Sequence, residues 1–210
     1  MRPTRRAHPR DTQATVFRAA AQEFAERGFD AARVDRIAAR ARVNKAMLYY
    51  HYGSKQALYD AVLRDMLAAV GTRARAIADG PGPADQKLDA WIATIVEEAA
   101  ARPWFPPIML REIASGARHL DPETFALMNA VYLAVRDVIV QGQHEGAFRP
   151  ADPLLTHMTI LPPILIFFAR QTAIEQRKPP RDLAAAEPRK MHEFISHMQA
   201  SARGMLHLHR

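Results

Sequence analysis

Apolar residues recur at three- and four-residue intervals along the chain, the spacing of helices that bury one face. In DTQATVFRAAAQEFAERG, residues 11–28, Val16, Phe17, Ala20 and Phe24 share such a face, with Asp11 or Thr12 placed as N-cap. Gly28 should end this helix, and Phe29 follows where a hydrophobic contact closes a Schellman-type stop. VDRIAARA then presents Val34, Ile37, Ala38 and Ala41 together, and Asn44 offers an N-cap for KAMLYYHY. Gly53 and Ser54 break and restart the chain into a long helix from about Lys55 to Ile77. After a loop at DGPGPAD, KLDAWIATIVEEAAA sets Leu88, Trp91, Ile92 and Ile95 on one face. RPWFPP reads as a proline-rich kink, HLDPE as a helix start and GAFRPADP as a turn. Two last helices, about 153–175 and 186–207, are apolar enough to associate. The pattern predicts an all-α protein.

One stretch resists an all-inward reading. VNKAMLYYHYGSKQAL, residues 43–58, has four aromatic-type side chains in a row (Tyr49, Tyr50, His51, Tyr52), two lysines and no acidic residue. A helix buries only a stripe, so these rings cannot all enter one core. Leu48 and Tyr52, four apart, can pack inward, which leaves Lys45, Met47, Tyr50 and His51 pointing elsewhere. Two short helices joined by a tight turn are a helix-turn-helix, whose second helix enters the DNA major groove. The outward set then faces bases and phosphates, and the Tyr49 ring can wedge at the core edge while its hydroxyl reaches a phosphate. Lys55 opens the next helix, where backbone N–H groups also favour phosphate.

Charge strengthens this. Residues 1–60 carry twelve Lys/Arg against six Asp/Glu, whereas residues 61–210 carry seventeen against sixteen. A basic end joined to a neutral body suits a polyanion-binding segment with a partner domain. The basic, proline-broken MRPTRRAHPR adds Arg5, Arg6 and Arg10 as a candidate DNA-contacting arm, or a solubilising tail, and lacks the apolar run of a secretory leader. The chain has no Cys, which removes disulfides and thiolate metal sites. Its longest apolar run, 158–169, is short for a membrane span and holds Pro162 and Pro163. A cytoplasmic protein without a membrane partner is expected.

GFDAARVDRIAARARVNKAMLYYHYGSKQALYDAVL, residues 28–63, resembles the DNA-binding domain of the TetR/AcrR family of bacterial transcriptional regulators. The family pattern is Gly-aromatic, a Val-x-x-Ile-Ala helix, then Gly-Val-Ser-x-x-x-Leu-Tyr-x-His-Phe and a Lys. The resemblance implies a flexible arm (1–10), a helix-turn-helix domain (11–63) and a helical effector-binding and dimerisation domain (64–210). It also implies a homodimer joined through C-terminal helices, a palindromic double-stranded operator, no cofactor and release by a small organic effector. Repression is the commoner mode in the family. The departures are specific. Arg33 follows Ala32 where a Thr usually caps, Arg42 replaces the turn glycine, Asn44 replaces a Ser or Thr cap, and Met47 replaces a small hydroxyl residue. With Arg33, Asn44 and Ala46 added, the candidate DNA-binding set is Arg33, Asn44, Lys45, Ala46, Met47, Tyr49, Tyr50, His51 and Lys55.

The neutral body supplies large soft side chains suited to an apolar effector pocket, though the same spacing also builds plain core. The candidates are Trp91, Trp104, Phe105, Met109, Phe125, Met128, Tyr132, Phe167 and Phe168, with Glu112, or Glu97 and Glu98, as charges that would select a cationic effector. The alternative, a helical enzyme or carrier on the same fold, needs an acid–base pair or a metal set. The histidines of HEFISH lie five apart, about 140° around a helix, so they cannot share a metal. No Glu-x-x-His or Gly-x-Ser-x-Gly occurs. His119, His144 and His157 stand isolated in the sequence, as surface or hydrogen-bonded core histidines, and His207 and His209 as solvated ones. No enzyme and no metal site is expected.

Overall fold

The computed structural model of the chain describes residues 9–176 and 191–207, and among these every regular element is an α-helix. In chain order they are α1 Pro9–Ala31, α2 Val34–Ala41, α3 Lys45–Tyr52, α4 Lys55–Asp79, α5 Ala84–Ala101, α6 Phe105–Ala114, α7 Pro122–His144, α8 Pro153–Gln176 and α9 Met191–Leu206.

The first three helices and the start of α4 enclose one apolar cluster. Val16, Ala20 and Phe24 of α1, Ile37 of α2, Leu48 of α3 and Leu58 and Val62 of α4 are all fully buried. Each such Leu, Ile or Phe contributes about 1.5–3 kcal/mol by leaving water. α1 begins at Pro9, so Asp11 and Thr12 lie inside its first turn instead of capping it. Proline suits that first position because its missing N–H would have no helical partner there. Residues 1–8 of the expected arm, Arg5 and Arg6 included, lie outside the described residues, while Arg10 belongs to α1. At Gly28 the backbone leaves helical geometry (φ 74°, ψ 175°). Phe29 folds back on Phe24 with ring centroids 6.4 Å apart, the contact expected of that stop.

α4 continues without a break into the second cluster, burying Met66, Leu67, Val70 and Ala74. It packs most extensively along α7, while α5 lies against α4, α7, α8 and α9, and α6 touches both α1 and α8. RPWFPP is a helix start: Pro106 and Pro107 sit in the first turn of α6. Asp121 caps α7 through the Thr124 N–H at 2.7 Å. Near the far end of α7, a Cβ on Gly142 would lie 2.2 Å from the Phe148 ring, so only glycine fits there.

α7 and residues Pro153–Ile174 of α8 are long and apolar enough to cross a membrane by length and composition. In the fold α7 turns Val131, Ala134, Val135, Val138 and Ile139 into the shared core. Pro162 and Pro163 lie inside α8 and withhold the N–H groups that would pair with the carbonyls of Met158 and Thr159. Of the predicted last helix, residues 186–190 lie outside the described residues.

Candidate nucleic-acid interface and its link to the helical body

The turn between α2 and α3 is three residues long. Arg42 takes the left-handed conformation (φ 56°, ψ 40°), and the Val43 N–H returns to the Ala38 carbonyl at 3.0 Å. An L-residue in that region costs roughly 1–2 kcal/mol, so the turn is strained where glycine would be relaxed. Arg33 offers no side-chain cap to α2, whereas Asn44 Oδ1 accepts from the Ala46 N–H at 2.9 Å and starts α3.

Buried Leu48 anchors α3 and sets its rotation. Tyr52 is half-buried beside it, its hydroxyl donating to the Gln13 carbonyl at 3.4 Å. The opposite side is open: Tyr50 is 81% exposed, and Lys45, Ala46, Met47 and Tyr49 are exposed with it. His51 is half-buried, edge-on to the Tyr50 ring at 5.3 Å, with its Nε2 buried and unpartnered. Arg33, Arg36 and Arg42 are exposed and make no ion pair among the described residues.

Two candidates are already engaged. Lys45 Nζ pairs with Asp35 of α2 at 2.7 Å, and that hydrogen bond holds its ammonium above the usual lysine range. Such a solvent-screened pair is weak, so it yields readily to a better anion. Lys55 turns back over the Phe29 ring, 4.5 Å from its centroid, and donates to the Asp30 carbonyl at 3.3 Å. It braces the end of α1 and is not a free cation.

The body grips this unit through residues 111–124. Arg111 of α6 donates to the Ala25 and Glu26 carbonyls, satisfying the end of α1 from another element. Glu112 is buried; its Oε1 accepts from the Tyr59 hydroxyl of α4 at 2.6 Å and lies 3.0 Å from His119 Nδ1, while its Oε2 has no partner. Burial, then Glu112, pushes the Tyr59 hydroxyl up from its ordinary pKa. The His119 ring lies tilted against Phe29 at 4.7 Å with its Nε2 3.3 Å from Asp30, and Arg118 reaches Asp30 at 2.5 Å. Arg64 of α4 holds Asp121, Thr124 and Glu123 at the start of α7. His119 thus belongs to a partly buried polar relay between the two clusters, which its isolation in sequence conceals.

The ten effector candidates do not converge. Glu112 is engaged in that relay by Tyr59 and His119. Trp104 packs edge-on against Phe17 of α1 and against Phe105, and Met109 is core. Phe167 stacks on Phe194 of α9 at 3.8 Å, with Phe168 edge-on to both. Phe125 is 45% exposed on α7. Glu97 and Glu98 are paired with Arg73, and Glu98 also with Arg102, so neither is free for a cation. What remains is Trp91 of α5 and Tyr132 of α7, with Met128 one turn before it. Both rings flank His157 of α8, at 5.7 and 5.3 Å. A separate open groove of about 490 Å³ at Gln143, Pro150, Ala151 and Asp152 touches none of them. Among the described residues no group of three His, Asp or Glu side chains is placed to hold a metal.

Residues 16–62 match the profile of bacterial regulatory proteins of the tetR family, and residues 85–198 that of a tetracyclin repressor-like C-terminal domain. The HTH-type transcriptional repressor SCO4008 of Streptomyces coelicolor is 39% identical over 146 residues, covering 69% of this chain and 71% of its own. The repressor NicS of Pseudomonas putida is 28% identical over 159 residues, 75% and 74% of the two chains. The HTH-type transcriptional activator FasR of Mycolicibacterium smegmatis is 47% identical over only 57 residues, 26% of its length. The fold is that of the ketosteroid transcriptional regulator KstR2 of Mycobacterium tuberculosis, with a TM-score of 0.74 over 99% of this chain and 100% of that one at 23% identity.

Proposed function

Because this chain belongs to the TetR family of bacterial transcriptional regulators, and so is a DNA-binding regulator and not an enzyme, we propose that it acts as a dimeric repressor released from a palindromic operator by a small organic effector. The observation that carries the DNA half is the open face of α3. Lys45, Ala46, Met47, Tyr49 and Tyr50 stand outward on a helix whose rotation is locked by buried Leu48, within a stretch free of acidic side chains. His51 borders this face, and Arg33, Arg42 and the Asn44-capped start of α3 add positive charge and N–H groups for phosphates. Lys55 contributes by bracing α1 more than by direct contact. Residues 11–63 serve as the DNA-binding unit and 64–210 as the body, and such a regulator works beside the chromosome, in the cytoplasm. Repression is favoured because SCO4008 and NicS, matched over 71% and 74% of their lengths, are named repressors.

Dimerisation is supported by α8. Leu155, Met158, Pro162 and Ile166 follow helical spacing along one side, and three of them are solvent-facing, Leu155 at 68% exposure. An apolar stripe of this kind suits a second copy of the same helix. Met158→Glu should give a monomer by analytical ultracentrifugation and lose operator affinity.

The test of the whole reading is fluorescence anisotropy on DNA from the chain's own promoter. A dimer making 6–10 phosphate contacts should lose about 10³–10⁵ in affinity between 50 and 200 mM salt. Affinity insensitive to salt, or equal for unrelated duplexes, would refute it.

A further inference from the structure

Two polar atoms in the centre of the body have no counterpart. The Nε1–H of Trp91, a residue with no solvent exposure, has no acceptor, and Nδ1 of His157, 4% exposed, has no partner. Each such orphan is destabilising, and about nine in ten or more buried polar groups in native proteins avoid that state. Phenylalanine or leucine would fill either position without the penalty. The two orphans come from different helices, α5 and α8, yet their rings meet, and the Tyr132 ring of α7 lies against the same imidazole. An indole, an imidazole and a phenol therefore converge from three helices, two of them with hydrogen-bonding atoms held in reserve.

The charge balance of these helices narrows what such a site would accept. Lys87 is spent on the Ala78 carbonyl and Gln141 Oε1. Arg73, Arg75 and Arg102 are each paired with carboxylates. Burial pushes the His157 imidazole down to about 4, so it is neutral near pH 7. Burial alone shifts that imidazole, with no charged side chain acting on it, and desolvating an ion there without a counter-charge would be costly. The aromatic walls favour a flat ring. Pliancy is present too: the carbonyls immediately after His157, those of Met158 and Thr159, have lost their helical donors to Pro162 and Pro163, a known cause of local bending.

We infer that Trp91, Tyr132 and His157 form the recognition core of the effector site, and that the effector is an uncharged planar molecule offering a hydrogen-bond acceptor to Trp91 Nε1–H and a donor to His157 Nδ1, as an aromatic amide or lactam does. This rests on the effector-responsive reading above and gives it a chemical class.

The test uses the full chain with benzamide and 2-quinolone as neutral probes, and benzoate and benzylamine as charged counterparts, read by calorimetry and thermal shift. The neutral pair should bind and stabilise the protein, and the charged pair should not. Trp91→Phe and His157→Phe keep a ring and delete the orphan atom. Each should leave the unliganded protein at least as stable and weaken binding by about tenfold or more, the equivalent of one lost hydrogen bond. His157→Gln, which restores a polar atom, should recover part of the affinity. The inference is overturned if neither neutral probe binds, if binding survives both phenylalanine variants, or if the charged probes bind as tightly. Binding that survives both variants but still weakens operator affinity leaves effector release intact and moves its site elsewhere. Failure to bind promoter DNA at all removes the repressor reading itself.

Discussion

Tyr59→Phe removes one oxygen from the middle of the relay that joins α4 to α6 and leaves the ring packing against Phe24 and Phe29 in place. What disappears is a 2.6 Å hydrogen bond to a buried carboxyl whose other oxygen is already unpartnered. Hydrogen bonds to charged groups are worth about 1.5–3 kcal/mol, and the abandoned Glu112 keeps only His119, so a loss of about 2 kcal/mol is expected. Glu112→Met should cost a similar amount by orphaning the Tyr59 hydroxyl. The double variant, with both groups apolar, should cost less than the sum by roughly 1.5–3 kcal/mol. Urea denaturation followed by circular dichroism measures all four proteins. A pH series adds a second reading. The folded-state pKa of Tyr59 is raised, so its stabilisation is complete below the ordinary tyrosine value near 10 and fades as pH rises past it, where the unfolded chain releases a proton that the folded one retains. Tyr59→Phe should flatten that alkaline decline. Single-variant costs that simply add, or an unchanged alkaline limb, would show that the hydroxyl and the carboxyl are not coupled.

Three further outcomes are expected. His157, buried and neutral with its pKa lowered to about 4, contributes stability that is whole above its unfolded value near 6.5 and lost as pH falls from there toward 4. The loss is on the order of 3 kcal/mol, and His157→Phe should abolish that part of the acid slope in melts from pH 7 to 4. Arg42→Gly relieves a left-handed arginine and should raise stability by about 0.5–1 kcal/mol while removing a cation from the DNA side; a lower Tm would contradict the strain. Lys45→Ala and Tyr50→Ala should weaken operator binding while leaving thermal stability nearly unchanged, since one loses an exposed ion pair and the other an exposed ring. Leu48→Ala should instead destabilise the protein by about 2–5 kcal/mol, and equal thermal losses for Tyr50 and Leu48 would mean that the α3 faces are misassigned.

The helices were legible because their information is local. Spacing placed α2 and α3 at their observed bounds, and Gly28, Asn44, Ser54 and Asp121 punctuate the chain where the backbone turns. The start of α1 was misread because Asp11 and Thr12 have cap chemistry, while Pro9 two residues earlier can itself open a helix. Side-chain partnerships across helices were not legible. Nothing near Lys55 in the sequence signals that it would lie over Phe29, and LREIASGARHLDPE gave no hint that Arg111, Glu112, Arg118 and His119 converge on α1 and α4. Aromatic content suggested a single pocket, but helix rotation sorts those rings into three separate clusters. His157 shows the limit most plainly: burial without a partner is set by three helices at once.

α4 is one uninterrupted rod of 25 residues, about 37 Å long. Its first turns lie under α3 and its later ones along α7, where Gly71 faces Ala130. A beam with no joint cannot absorb a disturbance midway; it transmits it. From Gly71 back to Lys55 is about 24 Å of arm, so a tilt of about 5° at the α7 seat swings the reading head by about 2 Å. In a twofold pair, two such arms swinging outward change the spacing between heads by up to about twice that, against a groove repeat of about 34 Å. Small repacking deep in the body would thus reach the DNA as a mismatch of stride, with neither α3 nor its side chains altered at all.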